Sequence, residues 1–300
     1  MNTRNLLLLA LIAPGFAHGG TPIDQTRAVD KDARIEITNV KGLVRVGVWD
    51  KPEVHVTGTL GSGSRGLTLE GSGSHLEVKV EGPDESKGWF HWGSDARMED
   101  SRLELQVPRQ AALEINVVSA DVDVGETAGR SVKVDSVSGR IKLATRASRL
   151  EVDAVSGDVE FDGKADDTHI ETVSGDIRAR NVGSEAHAET VSGNIRIESG
   201  EPLRNIDASS VSGDIDIRGG LAGGGRVHVE SMSGDIRLRV PGNLSAHLEA
   251  DSFSGRLKSD FGTVEKPEHG PGSHLDTRVG SGDGRISLES FSGDVTVEKE

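Results

Sequence analysis

The chain of 300 residues carries 39 Gly, 6 Phe, 3 Trp, no Cys and no Tyr, and its formal net charge is −15. The absence of Cys excludes disulfides, thiolate metal ligands and cysteine nucleophiles. The acidity argues against a nucleic-acid partner, because phosphate binding needs a basic surface. So few aromatic residues are untypical of a layered globular core.

Residues 1–19 have the pattern of a secretory signal peptide. Arg4 gives a charged start, Leu6 to Phe16 form an apolar stretch of 11 residues, and small residues follow at Ala17 and Gly19. A stretch of that length is too short to span the hydrocarbon core of a membrane. We therefore expect an exported protein without a membrane span, periplasmic or secreted after cleavage near residue 17–19.

After a short lead-in at residues 20–32, residues 33–110 read as irregular rungs of a larger β-structure. Alternating apolar residues on both sides of Lys41-Gly42 indicate two strands joined at a turn. Further strands are predicted at 54–60, 66–70, 75–80 and 102–107. A loop between the last two of these contains Trp89 and Trp92.

Residues 111–300 contain a phrase close to Val-Ser-Gly-Asp-Ile, which recurs at intervals of 18, 18, 18, 20, 21, 21 and 38 residues. Repeat positions are numbered here from its Ser, which is position 0, and a weaker copy has Ser119 there. The turn motif consists of Ser at 0, Gly at +1 and, in most copies, Asp at +2. Its members are Ser138, Gly139, Ser156, Gly157, Asp158, Ser174, Gly175, Asp176, Ser192, Gly193, Ser212, Gly213, Asp214, Ser233, Gly234, Asp235, Ser254, Gly255, Ser292, Gly293 and Asp294.

Apolar residues recur at positions −6, −4, −1, +3 and +5 of the repeat, with polar or charged residues between them. One flat strand cannot place the even and the odd positions on the same face. The chain must therefore turn a corner between −2, which is always small, and Gly at +1, which permits a positive φ. We expect the residues at −1 to fill the core at this corner, with Phe253 and Phe291 in the last rungs.

Two short strands and a corner every 18–21 residues predict an all-β fold, a single parallel β-solenoid (β-helix). Each rung would bury its apolar side by stacking on the next rung about 4.8 Å away. The preference of parallel crossovers predicts that the solenoid is right-handed. A meander of antiparallel hairpins is the alternative, but it would not require the same residue type in every copy.

Three features together resemble a known bacterial family: the phrase Ile-Glu-Ile-Thr-Asn-Val-Lys-Gly at 35–42, Trp49-Asp50, and the serial turns that end in Ser292-Gly293-Asp294-Val295. This is the "putative adhesin" family, domain of unknown function 4097, of β-strand-repeat proteins of the cell envelope. The likeness covers about residues 33–299. It implies a β-repeat fold and an envelope location, and it implies no established activity. Three copies depart from the turn Asp, with Arg140, Asn194 and Arg256 in its place.

Three outward columns of the repeat could carry chemistry. The column at +4, with Arg178, Arg196 and Arg237, is expected only to form salt bridges with neighbouring acids. Stacked Asp residues at +2 could hold Ca²⁺ between rungs, but we expect each to accept a hydrogen bond from the backbone of its own turn. A ladder that pairs His169 with Glu171 and His187 with Glu189, and continues through Asp207 to His228 with Glu230, could hold Zn²⁺ or another transition metal. A solvated polar face is the alternative interpretation of that ladder.

The loop with Trp89 and Trp92 could stack on a sugar ring, or it could cap the first rung. No nucleophile elbow, phosphate loop or metalloprotease helix occurs in the sequence, so we expect neither an enzyme nor a cofactor. The sequence favours a monomeric, non-catalytic, exported envelope protein that acts as an adhesin-like scaffold or interaction surface. Its partner would be an envelope protein or a surface glycan. The alternatives are a carbohydrate-binding or carbohydrate-active periplasmic protein, and a metal-binding envelope sensor.

Overall fold

The computed structural model describes residues 20–82, 98–267 and 271–300. All regular secondary structure in these ranges is β, which confirms the predicted fold class. The predicted signal peptide at 1–19 and the loop residues Trp89 and Trp92 lie outside the described residues. No helix that could cross a membrane occurs in the part of the chain that the structure describes.

The described residues form strands that follow one another in chain order with short corners between them. They are β1 (Thr21–Trp49), β2 (Glu53–Leu60), β3 (Gly66–Glu81), β4 (Ser101–Pro108), β5 (Ala112–Val124), β6 (Ser131–Ser138), β7 (Ile141–Leu143), β8 (Arg149–Ser156), β9 (Val159–Asp162), β10 (Asp167–Ser174), β11 (Ile177–Val182), β12 (Glu185–Ser192), β13 (Ile195–Ser199), β14 (Leu203–Ser212), β15 (Ile215–Arg218), β16 (Leu221–Ser233), β17 (Ile236–Val240), β18 (Ala246–Ser252), β19 (Leu257–Ser259), β20 (Ser273–Val279), β21 (Gly284–Ser290) and β22 (Val295–Lys299).

The repeat builds two faces of a parallel solenoid. Strands that precede the corner stack as β5, β6, β8, β10, β12, β14 and β16 on the first face. Strands that follow the corner stack as β5, β7, β9, β11, β13, β15 and β17 on the second face. The register places each repeat position on the same position of the next rung, as for His169 and His187. A residue type that recurs in the sequence therefore becomes a row on the surface or in the core.

The N-terminal part closes one end of this stack. Strand β1 pairs in parallel with β5 along both faces, and β3 and β4 pair with its other edge. Its first residues, Thr21 to Ala28, pair antiparallel with β2. The strands predicted at 66–70 and 75–80 form one continuous strand, β3, in which Gly71 and Gly73 take positive φ angles of 94° and 64°. The two glycines bend the strand without ending it.

At the other end, the spatial order of the rungs differs from their order in the chain. Strand β21 lies between β16 and β18, and β22 lies between β17 and β19. Strand β20 then pairs antiparallel with the outer edge of β18. The last copy of the repeat is thus inserted into the stack, and an antiparallel strand covers the edge that the parallel rungs would otherwise expose.

The core is built from the predicted rows at −6, −4, +3 and +5, but not from the row at −1. Val137 and Phe291 at −1 are 50% and 54% exposed. The small residues at −2, such as Thr190, are buried instead. The expectation that Phe253 and Phe291 fill the last corners is therefore wrong. Even positions point inward as far as −2, whereas both −1 and Ser at 0 are exposed, as Val173 and Ser174 are. The change of phase therefore occurs between −2 and +3, and −1 belongs to the outward side of the first strand.

Successive rungs approach each other closely at the corner. A Cβ atom on Gly193 would lie 2.0 Å from the carbonyl oxygen of Gly175, and a Cβ on Gly234 would lie 2.0 Å from that of Gly213. Neither of these residues has a φ in the left-handed region. The Gly column is thus required chiefly because the backbones nearly touch, and the positive φ of Gly139, Gly157 and Gly213 is an additional feature of three copies.

One strand of the first face, β10, can be used to test which repeat positions point into the core and which point outward. Ile170 at −4 is 1% exposed, whereas Val173 at −1 is 48% exposed. We expect Ile170→Ala to lower the free energy of unfolding by ~2–5 kcal/mol, because it leaves a cavity between stacked rungs. Val173→Ala should change it by less than ~0.5–1 kcal/mol. Urea denaturation followed by circular dichroism measures both, and equal losses would contradict the outward placement of row −1.

The close approach at the corner gives a second test. We expect Gly193→Ala to destabilise the protein by ~1–3 kcal/mol, because the added methyl group forces the rungs apart. Gly223→Ala is the matched control, since a Cβ there meets nothing within 4 Å. The melting temperature should fall in the first variant and stay level or rise slightly in the second. A Gly193→Ala variant as stable as the parent would show that the corners of the regular copies tolerate a methyl side chain.

Candidate interaction surface

The turn acids form a hydrogen-bonded ladder that connects neighbouring rungs. Oδ1 of Asp158 accepts a hydrogen bond from the backbone N–H of Asp176 (3.1 Å), and Oδ1 of Asp214 accepts one from the N–H of Asp235 (2.9 Å). Asp235 does the same for Asp294 at 2.8 Å. The expectation that each Asp satisfies its own turn is therefore wrong. Because a parallel stack offers the next turn's N–H at the same position, the carboxylate bonds along the stack instead.

Hydrogen bonding along the stack explains two of the three copies that lack Asp at position +2. Asn194 takes the same place in the ladder, because its amide oxygen accepts from the N–H of Asp214 at 3.0 Å. Arg256 lies in the rung at the end of the stack, where its N–H donates to Asp294 (2.9 Å) and its Nη2 donates to the same carboxylate (2.7 Å). These hydrogen bonds lower the pKa of Asp294 below its ordinary value. The ladder thus connects neighbouring corners, and its carboxylates already accept hydrogen bonds from backbone N–H groups.

The residues at −1 form a continuous apolar row on the outside of the first face, which we call the apolar ridge. Its members are 44–55% exposed. The rings of Phe253 and Phe291 stack with their centroids 4.9 Å apart. Nine residues at the spacing of stacked strands extend over roughly 38 Å. In spatial order the ridge consists of Val118, Val137, Val155, Val173, Val191, Val211, Met232, Phe291 and Phe253.

Carboxylates flank the apolar ridge. On the side of the turn they belong to the Asp ladder at +2, and on the other side they belong to an outward row at −3, which we call the acidic row. Like charges on neighbouring strands repel one another. Lys133 relieves this repulsion at one end, where its Nζ lies 2.5 Å from Glu151 and 3.3 Å from Asp153. The acidic row contains Asp135, Asp153, Glu171, Glu189, Glu230, Glu289 and Asp251, interrupted by Ser209.

At its aromatic end the apolar ridge forms the floor of a groove of about 910 Å³. Met232, Phe253 and Phe291 lie along the floor, and residues 265–267 and 271–274 form a wall beside it. Two backbone hydrogen bonds between Glu265 and His274, of 2.8 and 2.9 Å, attach this wall to β20. The groove is therefore apolar at its base and polar at its rim, which is typical of sites that bind a partner or ligand.

His274 connects the wall of the groove to the sheet. Its Nδ1 lies 2.7 Å from Oδ1 of Asp251 on β18. This hydrogen bond raises the pKa of His274 above its ordinary value of 6.5, and the charges of Asp251, Asp276 and Glu249 add to the effect, while partial burial opposes it. The contact is therefore strongest when the imidazole is protonated.

The predicted His/Glu ladder lies on the same face, one row further from the apolar ridge. The imidazole rings of His169 and His187 stack with centroids 4.6 Å apart and planes within 8°. Glu171 Oε1 lies 2.8 Å from Nε2 of His169 and 3.9 Å from Nε2 of His187. Glu189 Oε2 lies 3.8 Å from Nε2 of His187. The structure thus brings together all four residues of the predicted ladder, whereas Trp89 and Trp92 lie outside the described residues.

The apolar ridge and the groove were missed by the sequence analysis. The signal for the ridge was present, because position −2 is small and polar in most copies but never charged, which is compatible with burial. Continuing the even parity of −6 and −4 to −2 would have placed −1 outside. The groove has no comparable signal, since it depends on the insertion of β21 and on a loop that belongs to no repeat.

A model of the family described as Toastrack DUF4097 matches residues 33–298. The chain belongs to this family. Toastrack DUF4097 is a β-solenoid domain of unknown function, in agreement with the architecture seen here. No curated protein matches the chain.

Three solved structures are similar to this Toastrack chain at low sequence identity. A "putative lipid binding protein" from Parabacteroides distasonis ATCC 8503 is 16% identical, with a TM-score of 0.48, over 93% of this chain and 98% of the other. A "putative adhesin" from Bacteroides fragilis NCTC 9343 is 13% identical, with a TM-score of 0.41, over 93% and 97%. A "putative cell adhesion protein" from Clostridium sporogenes ATCC 15579 is 8% identical, with a TM-score of 0.25, over 93% and 100%.

The contact between His274 and Asp251 predicts a pH dependence of stability. Because the folded protein raises the pKa of His274 above its ordinary 6.5, protonation of this residue stabilises the fold in full below pH 6.5. That stabilisation is lost as the pH rises through the raised pKa. We expect the urea midpoint of the Toastrack chain to fall more steeply above pH 6.5 than that of a His274→Gln variant. Parallel profiles between pH 5.5 and 8.5 would contradict the prediction, since all other His residues are common to both proteins.

Proposed function

We propose that the protein is a non-catalytic, exported interaction scaffold of the cell envelope, and that it binds a cationic amphipathic polypeptide segment along the apolar ridge. The observation that carries this proposal is the ridge itself. Exposed apolar residues are usually scattered over a protein surface, and a contiguous exposed patch is typical of an interaction site. Here the repeat places one apolar side chain above another over nine rungs.

The charges on both sides of the apolar ridge select the partner. A second copy of this chain would set carboxylates of the acidic row or of the Asp ladder against carboxylates, and the chain already carries a net charge of −15. An anionic membrane surface would be repelled for the same reason. A segment with Lys or Arg beside apolar residues would complement both features, because opposite charges across an interface favour association and like charges oppose it.

The dimensions also suit an elongated segment. The apolar ridge extends over roughly 38 Å, which is the length of an α-helix of about 25 residues. Helical side chains one turn apart are spaced by about 5.4 Å, close to the spacing of the ridge. The groove beside Phe253 and Phe291 would hold the larger apolar side chains at one end of such a segment.

A direct test uses a 22-residue amphipathic peptide of Leu and Lys, with a Leu and Glu peptide of the same length for comparison. We expect the Lys peptide to bind the purified protein more tightly, with an affinity that falls as salt rises. The double variant Val173→Thr/Val191→Thr should weaken binding about tenfold, which corresponds to ~1.4 kcal/mol. Fluorescence anisotropy of the labelled peptide measures the affinity.

The matched control is Lys142→Thr/Glu160→Thr, which changes two outward residues on neighbouring strands of the second face and leaves the net charge unaltered. It should bind the peptide as the parent does. Equal binding of the Glu peptide, equal loss in the control, or dimerisation through the apolar ridge would overturn the proposed partner. Recovery of the protein in the cytoplasmic fraction of its cells would overturn the proposed export.

A further inference from the structure

The His/Glu ladder brings three potential metal ligands together in a way that the rest of the described surface does not. Ligand atoms of His169, Glu171 and His187 all lie within 4.8 Å of one another. Among residues 20–82, 98–267 and 271–300, no other three His, Asp or Glu residues meet this condition. The three side chains are half-buried, with exposures of 33%, 46% and 33%. They are thus held by the sheet and still open to solvent on one side.

The register of the strands creates this geometry. His169 and His187 occupy position −5 of successive rungs and are direct neighbours in the parallel pairing of β10 with β12. Glu171 occupies position −3 of the first of these rungs, so it lies beside both imidazoles on the same outward face. Its Oε1 already contacts Nε2 of His169 at 2.8 Å and lies 3.9 Å from Nε2 of His187. A bound metal ion would need bonds of about 2.0–2.2 Å to each ligand, which small rotations of the side chains can provide.

Carboxylates beyond the two imidazoles complete the arrangement. Asp207, the next residue of the same row, has Oδ2 at 3.8 Å from Nδ1 of His187. Glu151 is the neighbour of His169 on the opposite side. A carboxylate near the second ring nitrogen favours the tautomer that leaves Nε2 free for a metal, and it raises the basicity of the ligand. Four successive rungs therefore present a carboxylate, two imidazoles and a second carboxylate at position −5, and Glu171 and Glu189 lie beside them at −3.

We propose that His169, His187 and Glu171 bind a divalent transition-metal ion, with Glu189 or water as the fourth ligand. Two imidazoles and a carboxylate are ligands that suit Zn²⁺, Cu²⁺ or Ni²⁺, whereas Ca²⁺ and Mg²⁺ prefer oxygen ligands alone. A metal ion would connect β10 to β12 across the stack and would neutralise part of the acidic row. The site shares Glu171 with the acidic row but contains no residue of the apolar ridge, and its test uses no peptide.

The chain provides its own control for this site. His228 also occupies position −5, and its Nε2 lies 3.0 Å from Oε1 of Glu230, which resembles the contact of His169 with Glu171. Its neighbours in the row are Asp207 and Ser287, so no second imidazole adjoins it. An isolated His and Glu pair should bind metal far more weakly than two imidazoles and a carboxylate.

The experiment is isothermal titration of Zn²⁺ alone into the purified protein, prepared without a polyhistidine tag and treated with chelator beforehand. We expect one Zn²⁺ per chain with a Kd of micromolar order or tighter. His169→Ala and His187→Ala should each weaken binding at least tenfold, and Glu171→Gln should weaken it by a smaller factor. His228→Ala should bind as the parent does. Zn²⁺ should also raise the melting temperature of the parent and of His228→Ala, but not that of His187→Ala.

Circular dichroism of each variant without metal shows whether the solenoid is intact. We expect every variant to be folded, because the substituted positions are half-exposed. The proposal is overturned if the parent binds no Zn²⁺ tighter than millimolar. It is also overturned if His228→Ala loses as much affinity as His187→Ala, or if Ca²⁺ in excess displaces Zn²⁺. None of these outcomes bears on peptide binding at the apolar ridge, so the two proposals can fail separately.

Discussion

The close contact of successive corners is the constraint on which the rest of this structure depends. At the corners of the eight regular copies the backbone approaches that of the neighbouring rung so closely that an added Cβ would clash, as the 2.0 Å between a Cβ on Gly193 and the oxygen of Gly175 shows. The turn acid then accepts the N–H of the neighbouring corner, as Asp214 does for Asp235. Register is fixed at this point, and a slip by one residue would exchange every inward and outward side chain on both strands.

Fixed register has a consequence for the surface. Because every rung stacks in phase, one residue type at one repeat position becomes a row along the whole solenoid. The same rule produces the core, the apolar ridge, the acidic row and the pair of stacked imidazoles at His169 and His187. A short strand of a single rung could not form an interaction surface of this length. The repeat is thus both the source of stability and the means by which small side chains such as Val make an extended apolar surface.

The sequence was sufficient for the architecture of the repeat, because alternation and conserved spacing within the chain report directly on strands and corners. It was not sufficient for the side on which Val173 and Phe291 lie, since apolar character at −1 is compatible with either face near a corner. Nor could it show that β21 inserts between β16 and β18, because spatial order depends on the long connection after Ser259. The partner of each turn Asp was likewise hidden, since the N–H of its own turn and that of the next rung are equivalent in sequence.

The acidic row is the feature that stability alone explains least. Stacked carboxylates on neighbouring strands repel one another, and a neutral row of Thr or Ser would form the same sheet without that repulsion. Lys133 offsets it at one end, and His169 and His187 lie where they can offset it in the middle. A cationic partner along the apolar ridge and a metal ion at the imidazole pair would relieve the same repulsion from outside. Both proposals therefore follow from one electrostatic property of the outward face. Its stacked carboxylates repel one another, and a bound cation would relieve that repulsion.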